Sequence, residues 1–100
     1  MKMQVAKTIL EQLGGNKFCA MVGFGGGCAH ENGLSFSFKG CRKANRCMIT
    51  LNSMDLYDVE FFKYSPTKGE VKTVHTAEGL YNDMLVPEFE DFTGLYTKLF

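Results

Sequence analysis

The sequence predicts an α+β fold: an N-terminal helix, a five-stranded antiparallel meander and a C-terminal helix, with both helices packed on one face of the sheet. Three observations predict it. Apolar residues recur at helical spacing near both ends of the chain, they alternate with polar residues in between, and short turn sequences separate the alternating segments. At 100 residues, 45% of them apolar and 22% charged, the chain is expected to form a single α+β domain over residues 1–100.

The N-terminal helix is predicted over residues 3–13. Val5, Ile9 and Leu13 follow one another at intervals of four residues, which places them on one apolar stripe of a helix. The pair Gly14-Gly15 is expected to end the helix, because glycine adopts the left-handed conformation of a helix C-cap without a steric penalty.

Five strands are predicted after this helix. The first is the apolar run from Phe18 to Val22, and the glycine-rich segment 23–27 that follows is expected to be a flexible loop. An Asn-Gly turn at 32–33 is expected to begin the alternating part of the chain. The other four strands are predicted at 34–39, 47–52, 57–64 and 71–76. Consecutive strands joined by short turns most simply form an antiparallel meander.

A helical pattern returns over residues 81–93. Its apolar stripe consists of Leu85, Phe89 and Phe92. Pro87 lacks a backbone N–H, so the helix is expected either to kink there or to begin afresh with Pro87 in its first turn. Gly94 is expected to cap the helix. The apolar tail 95–100 then requires something to cover it.

No motif indicates a catalytic, cofactor or metal site, and the protein is predicted not to be an enzyme. Cys28 and His30 supply only two of the four ligands that zinc prefers, and a thiol–imidazole pair needs proximity and a third, orienting group. The glycine-rich segment lacks the spacing of a phosphate-binding loop. With no secretory signal, the four cysteines are expected to be free thiols in the cytoplasm. They are Cys19, Cys28, Cys41 and Cys47.

The formal net charge of zero hides an uneven distribution along the chain. Residues 1–50 carry seven basic and two acidic side chains, a net charge of +5, whereas residues 51–100 carry four basic and nine acidic side chains, a net charge of −5. Three interpretations stay open: a dipolar molecule, a head-to-tail oligomer, or two halves that face each other in the fold. No apolar run approaches the roughly 18 residues of a membrane span, so no membrane partner is expected.

Two sets of residues are candidates for binding a macromolecule. The basic loop between the second and third predicted strands would contact nucleic-acid phosphates; its residues are Lys39, Arg42, Lys43 and Arg46. The acidic face of a strand together with the apolar tail would contact a protein; its residues are Asp58, Glu60, Tyr96 and Phe100. Self-association is left open, because sheet edges and apolar tails pair readily with their own copies.

Several segments resemble a family of small uncharacterised proteins encoded on bacteriophages and other bacterial mobile elements. The most specific are LGGNKF at 13–18 and TGLY at 93–96. The others are ENGLSF at 31–36, ANRCMITL at 44–51, YDVEF at 57–61 and GLYNDML at 79–85. The resemblance spans almost the whole chain. It implies a bacterial or phage origin and a cytoplasmic location, and it implies no activity.

These observations together predict a non-catalytic binding module of a phage or mobile element that docks on a host or phage protein. Inhibition of a host defence system is one role open to such a module. The alternative is a weak nucleic-acid-binding protein that uses the basic loop, because four cations would neutralise only a few phosphates.

Overall fold

The computed structural model of the chain describes residues 3–65 and 67–94. The helices are α1 (Met3–Leu13), α2 (Asn16–Val22) and α3 (Leu85–Thr93), and a 3-10 turn covers Asn82–Met84. The strands are β1 (Gly25–His30), β2 (Gly33–Ser37), β3 (Arg46–Leu51), β4 (Tyr57–Ser65) and β5 (Glu70–Leu80). Their order in the sheet is β1-β2-β3-β4-β5, and every neighbouring pair is antiparallel. The predicted α+β fold with a five-stranded antiparallel meander is confirmed.

Residues 18–22, predicted as the first strand, form helix α2 instead. Phe18 and Val22 lie four residues apart and are both buried, whereas Ala20 between them is exposed. That spacing is helical, because a strand would have placed all three side chains on the same face. Gly23 ends α2 in the left-handed conformation, with φ 68°, and its own N–H donates to the Cys19 carbonyl.

The first strand is formed by the glycine-rich segment that was predicted as a loop. β1 begins at Gly25 and pairs with β2, with an irregularity in the register between Gly25 and Cys28. A Cβ at Gly27 would lie 2.7 Å from the ring of Phe24, and that ring stacks on Phe36 at 5.0 Å between centroids. Glycine is therefore needed in β1 because an aromatic side chain covers the strand backbone.

The hairpin between β1 and β2 turns one residue earlier than predicted. His30 pairs with Gly33, which leaves Glu31 and Asn32 as the two turn residues. Gly33 is buried in the strand, and a Cβ there would collide with the carbonyl oxygen of Ile49 on β3. The glycine thus permits a close approach of two strands rather than the turn itself.

One apolar core joins the three helices to one face of the sheet. Its largest fully buried members are four phenylalanines, one on α2 and the others on β2, β4 and α3. They are Phe18, Phe36, Phe61 and Phe89. The predicted stripe of α1 packs into the same core through Ile9 and Leu13. The expectation that the helices cover one face of the sheet is therefore confirmed, and the opposite face stays open.

The C-terminal helix begins afresh near Pro87 and has no kink there. α3 starts at Leu85 after the 3-10 turn, so Pro87 is its third residue, where an N–H would have no partner within the helix. Gly94 caps α3 in the left-handed conformation with φ 73°, and its N–H donates to the Glu90 carbonyl at 2.8 Å. The apolar tail 95–100, with Tyr96 and Phe100, lies outside the described residues.

Candidate interaction surfaces

Strand register determines which charged residues come together. At one end of the sheet Arg46 on β3 lies opposite Ser37 on β2 and opposite Phe62 on β4. At the other end Thr50 on β3 lies opposite Gly33 and opposite Asp58. The loop 38–45 and the turn 67–69 belong to the Arg46 end, and the turns 31–32 and 52–56 belong to the Asp58 end.

The Arg46 end collects nearly all the described cations and is called the basic end below. Its strands, loop and turn have seven lysines and arginines and a single carboxylate, Glu70, so the net charge of these segments is +6. The seven are Lys39, Arg42, Lys43, Arg46, Lys63, Lys68 and Lys72. The four residues predicted from the sequence are therefore brought to one end of the molecule.

Three cations of the basic end lie outside the predicted loop. Lys63 on β4 is directly opposite Lys72 on β5, and Lys68 is exposed in the turn that joins these strands. In sequence they lie among acidic residues of the negatively charged half of the chain, so local charge counting does not associate them with the loop. Like charges directly opposite each other destabilise a sheet, so this pair opposes folding.

The predicted loop residues differ in their surroundings. Lys43 Nζ donates to the Phe92 carbonyl at 3.2 Å, near the C-terminus of α3, and lies 5.3 Å from the centre of the Phe92 ring. That ring stacks on His75 at 4.6 Å, and His75 Nε2 lies 2.9 Å from Glu88 Oε2. Lys43 therefore helps to hold α3 against the sheet. Arg42, in contrast, is exposed and makes no hydrogen bond to the described residues.

An aromatic side chain accompanies Arg46 on the open face of the basic end. Tyr64 is 39% exposed and follows half-buried Phe62, the residue opposite Arg46. The Tyr64 backbone is held in place by Asn45: Tyr64 N–H donates to Asn45 Oδ1 at 2.8 Å, and Asn45 Nδ2 donates to the Tyr64 carbonyl at 2.9 Å. A fixed strand therefore presents the Tyr64 ring.

The opposite end is called the acidic end below. Its carboxylates are Glu31, Asp55, Asp58, Glu78 and Asp83. Lys7 and Glu11 on α1 line an open groove of about 550 Å³ at this end and cancel each other's charge, so the net charge is −5. Three further carboxylates run along α3 between the two ends: Glu88, Glu90 and Asp91.

The two predicted acidic residues have different environments. Asp58 Oδ1 accepts hydrogen bonds from Asn52 Nδ2 at 3.2 Å and from the Gly79 N–H at 3.1 Å. Glu60 lies nearer the middle of the open face, opposite Met48 and Thr76. Both carboxylates line a shallow pocket of about 320 Å³ together with Glu78. Asp58 thus contributes to the fold as well as to the charge of the acidic end.

Large apolar side chains are exposed at the acidic end, a feature that sequence analysis missed. Met54 is 76% exposed, Tyr81 63% and Met84 42%. The pairing of Tyr57 with Leu80 sets the 52–56 turn beside the chain that leads into the 3-10 turn. Met84 lies in the 3-10 turn before α3, and its side chain is exposed.

The structure assembles no catalytic group from Cys28 and His30. His30 Nε2 lies 2.8 Å from Ser35 Oγ, and the Cys28 thiol contacts the neighbouring Ala29 carbonyl, so no described hydrogen bond joins the thiol to the imidazole. Burial raises the pKa of the Cys47 thiol well above its ordinary value, which keeps it neutral. Among residues 3–65 and 67–94, the thiols are all free and no group of three metal-ligating side chains occurs.

Comparisons of the chain with protein-family models, curated proteins and solved structures found no match. The resemblance to phage-encoded proteins therefore stays an expectation. Within the part of the chain that the structure describes, no helix combines the length and the apolar character needed to cross a membrane.

Proposed function

We propose that the protein is a non-catalytic docking module that binds a protein partner with a basic surface through its acidic end. One observation carries the proposal: Met54, Tyr81 and Met84 are exposed at an end of the sheet that also bears five carboxylates. Exposed apolar side chains surrounded by charge are typical of protein interfaces.

The two kinds of side chain would contribute differently to docking. Tyr and Met supply apolar contact area, and Tyr in particular is enriched among the residues that dominate binding energy. The carboxylates contribute mainly to the association rate and to the choice of partner, through attraction to a basic surface. The proposal therefore relocates the protein-binding surface from Asp58 and Glu60 on the open face toward the 52–56 turn and the segment 81–84.

The bacterial origin implied by the resemblance narrows the partner to a host or phage protein in the cytoplasm. A partner whose own function requires a basic surface would be blocked by an acidic module of this kind. Inhibition of a host defence protein is one role that fits this chemistry.

The test is affinity capture from bacterial lysate with three immobilised proteins: wild type, the double variant Met54→Ala/Tyr81→Ala, and Tyr64→Ala. Tyr64→Ala is the matched control, because it removes an exposed aromatic side chain from the opposite end. We expect specific proteins to bind wild type and the control, and the double variant to lose them. Identical protein profiles for all three would contradict the proposal.

A further inference from the structure

We infer that the basic end is a second, independent binding site, and that its ligand is single-stranded nucleic acid. The site combines the cations of the loop 38–45 with those of the β4–β5 hairpin and with the exposed ring of Tyr64 on the open face. The inference does not depend on the proposed protein docking, because it uses the opposite end of the molecule.

The charge of the basic end is not explained by the fold. None of the seven cations forms an ion pair with a carboxylate among the described residues. Among their side chains, only that of Lys43 makes a described hydrogen bond, to the Phe92 carbonyl. The strands, loop and turn of the basic end carry a net charge of +6, which falls to +4 when Glu90 and Asp91 near the C-terminus of α3 are included. This positive charge at one end of a domain with a longest extent of 36 Å attracts polyanions.

The Lys63–Lys72 pair is the sharpest indication of an anionic ligand. The two residues lie directly opposite each other on β4 and β5, where a pair of like charges destabilises the sheet. A phosphate between the two ammonium groups would convert this repulsion into attraction to both. Binding of an anion would therefore offset a repulsion that the fold itself leaves uncompensated.

The aromatic side chains favour a single strand over a duplex. Unstacked bases lie flat on exposed aromatic rings, whereas the bases of a duplex are already stacked on each other. Tyr64 presents such a ring on the open face, in the same strand as Phe62, which lies opposite Arg46. Arg46 and Tyr64 therefore occur on the open face, and Lys63 and Lys72 project from the other face at the same end, so a bound strand would pass around this end of the sheet.

The expected binding is salt-dependent and modest in strength. Each phosphate contact to a single strand adds about 0.7 to the slope of log K against log salt concentration, so seven cations set an upper limit of about 5. Without base-specific groups, we expect dissociation constants on the order of micromolar at low salt, with little sequence preference.

The experiment measures fluorescence anisotropy of labelled oligo-dT and oligo-U of about 15 nucleotides, against a duplex of the same length, over a range of salt concentrations. The variants are Lys72→Glu and Tyr64→Ala. The matched controls are Lys7→Glu, an exposed lysine at the acidic end, and Tyr81→Ala, an exposed tyrosine there. Circular dichroism verifies that each variant is folded.

We expect Lys72→Glu to lower the salt slope by about 0.7 or more and Tyr64→Ala to weaken single-strand binding about fivefold or more, with both controls close to wild type. Absence of binding at low salt would overturn the inference. Equal affinity for the duplex, with no effect of Tyr64→Ala, would also overturn it. Met54→Ala/Tyr81→Ala is expected to retain nucleic-acid binding, so failure of this site and failure of the acidic-end proposal are distinguishable.

Discussion

The two ends of the sheet are opposite in charge, and they also differ in how the fold uses that charge. At the acidic end, Asp58 accepts hydrogen bonds from Asn52 and from the Gly79 N–H, so one of its carboxylates helps to close the end of the sheet. At the basic end a neutral side chain, Asn45, ties the loop to Tyr64. Most of the cations there are not needed for folding, which makes their accumulation informative about binding.

Two ends of opposite charge agree with one of the three interpretations of the uneven charge along the chain. The structure shows a dipolar molecule, because basic residues from both sequence halves meet at one end of the strands. The halves do not simply neutralise each other. Lys63, Lys68 and Lys72 belong to the negatively charged half of the sequence, yet they lie beside the basic loop.

The largest difference between the ends is expected in stability. Asn52 Oδ1 accepts hydrogen bonds from the N–H groups of Met54 and Leu56, and its Nδ2 donates to Asp58. Asn52→Ala removes all three at a half-buried position and should lower the free energy of unfolding by about 2–3 kcal/mol. Asn45→Ala removes two hydrogen bonds that are exposed to solvent and should cost about 1 kcal/mol.

Chemical denaturation of the two variants checks this order. Asn52→Asp serves as a control. It keeps the oxygen that accepts from the two N–H groups, but it loses the amide that donates to Asp58 and places a second carboxylate beside that residue. Its loss of stability should be close to that of Asn52→Ala. Equal losses of stability for Asn45→Ala and Asn52→Ala would show that these side-chain hydrogen bonds stabilise the two ends equally.

The second comparison uses a tyrosine at each end. Burial raises the pKa of Tyr57, whereas Tyr64 is exposed. The folded state therefore keeps the Tyr57 phenol protonated more strongly than the unfolded state does. This contribution to stability is fully present below the unfolded pKa of about 10 and is lost as the pH rises above it, by at most about 1.4 kcal/mol per pH unit.

Stability measured by denaturation between neutral pH and pH of about 11 checks this difference. Above pH of about 10, Tyr57→Phe should lose stability less steeply than wild type, and Tyr64→Phe should follow wild type. The buried thiol of Cys47, whose pKa is also raised, adds the same decline to all three proteins and cancels in the comparison. Parallel curves for Tyr57→Phe and wild type would contradict the assignment.

The smallest expected effect is weak head-to-tail association. Opposite charges at the two ends attract different copies of the chain at low ionic strength, and salt screens this attraction within about 10 Å at 0.1 M. Light scattering should give an apparent mass that rises with protein concentration at about 10 mM salt and returns to the monomer value near physiological salt. Lys72→Glu should reduce the rise, and an apparent mass unaffected by salt would contradict this mechanism.

Much of the fold could be predicted from local pattern. The stripe of α1 and the alternation in β3 and β4 each describe an element whose faces differ in polarity, and burial follows these patterns. The pattern failed at 18–27. A short apolar run there suits a strand or a helix equally, and only packing of Phe18 and Val22 against the core selects the helix.

The candidate sites were less predictable than the fold. The loop from Lys39 to Arg46 stands out because its cations are close in sequence. Nothing in the local sequence distinguishes the exposed Met54 and Tyr81 from buried apolar residues, because exposure of a single apolar residue depends on what the rest of the chain covers.

Outside residues 18–27, the sequence by itself determined the types of element and the faces they bury, because these follow from side-chain periodicity within each segment. Tertiary structure alone decided where charge collects. Register brings Lys63 opposite Lys72 and places both at the same end of the sheet as Arg46, although Lys63 follows Arg46 by 17 positions in the sequence. Strand pairing depends on long-range packing of the whole core, and the two oppositely charged ends of this molecule follow from that pairing.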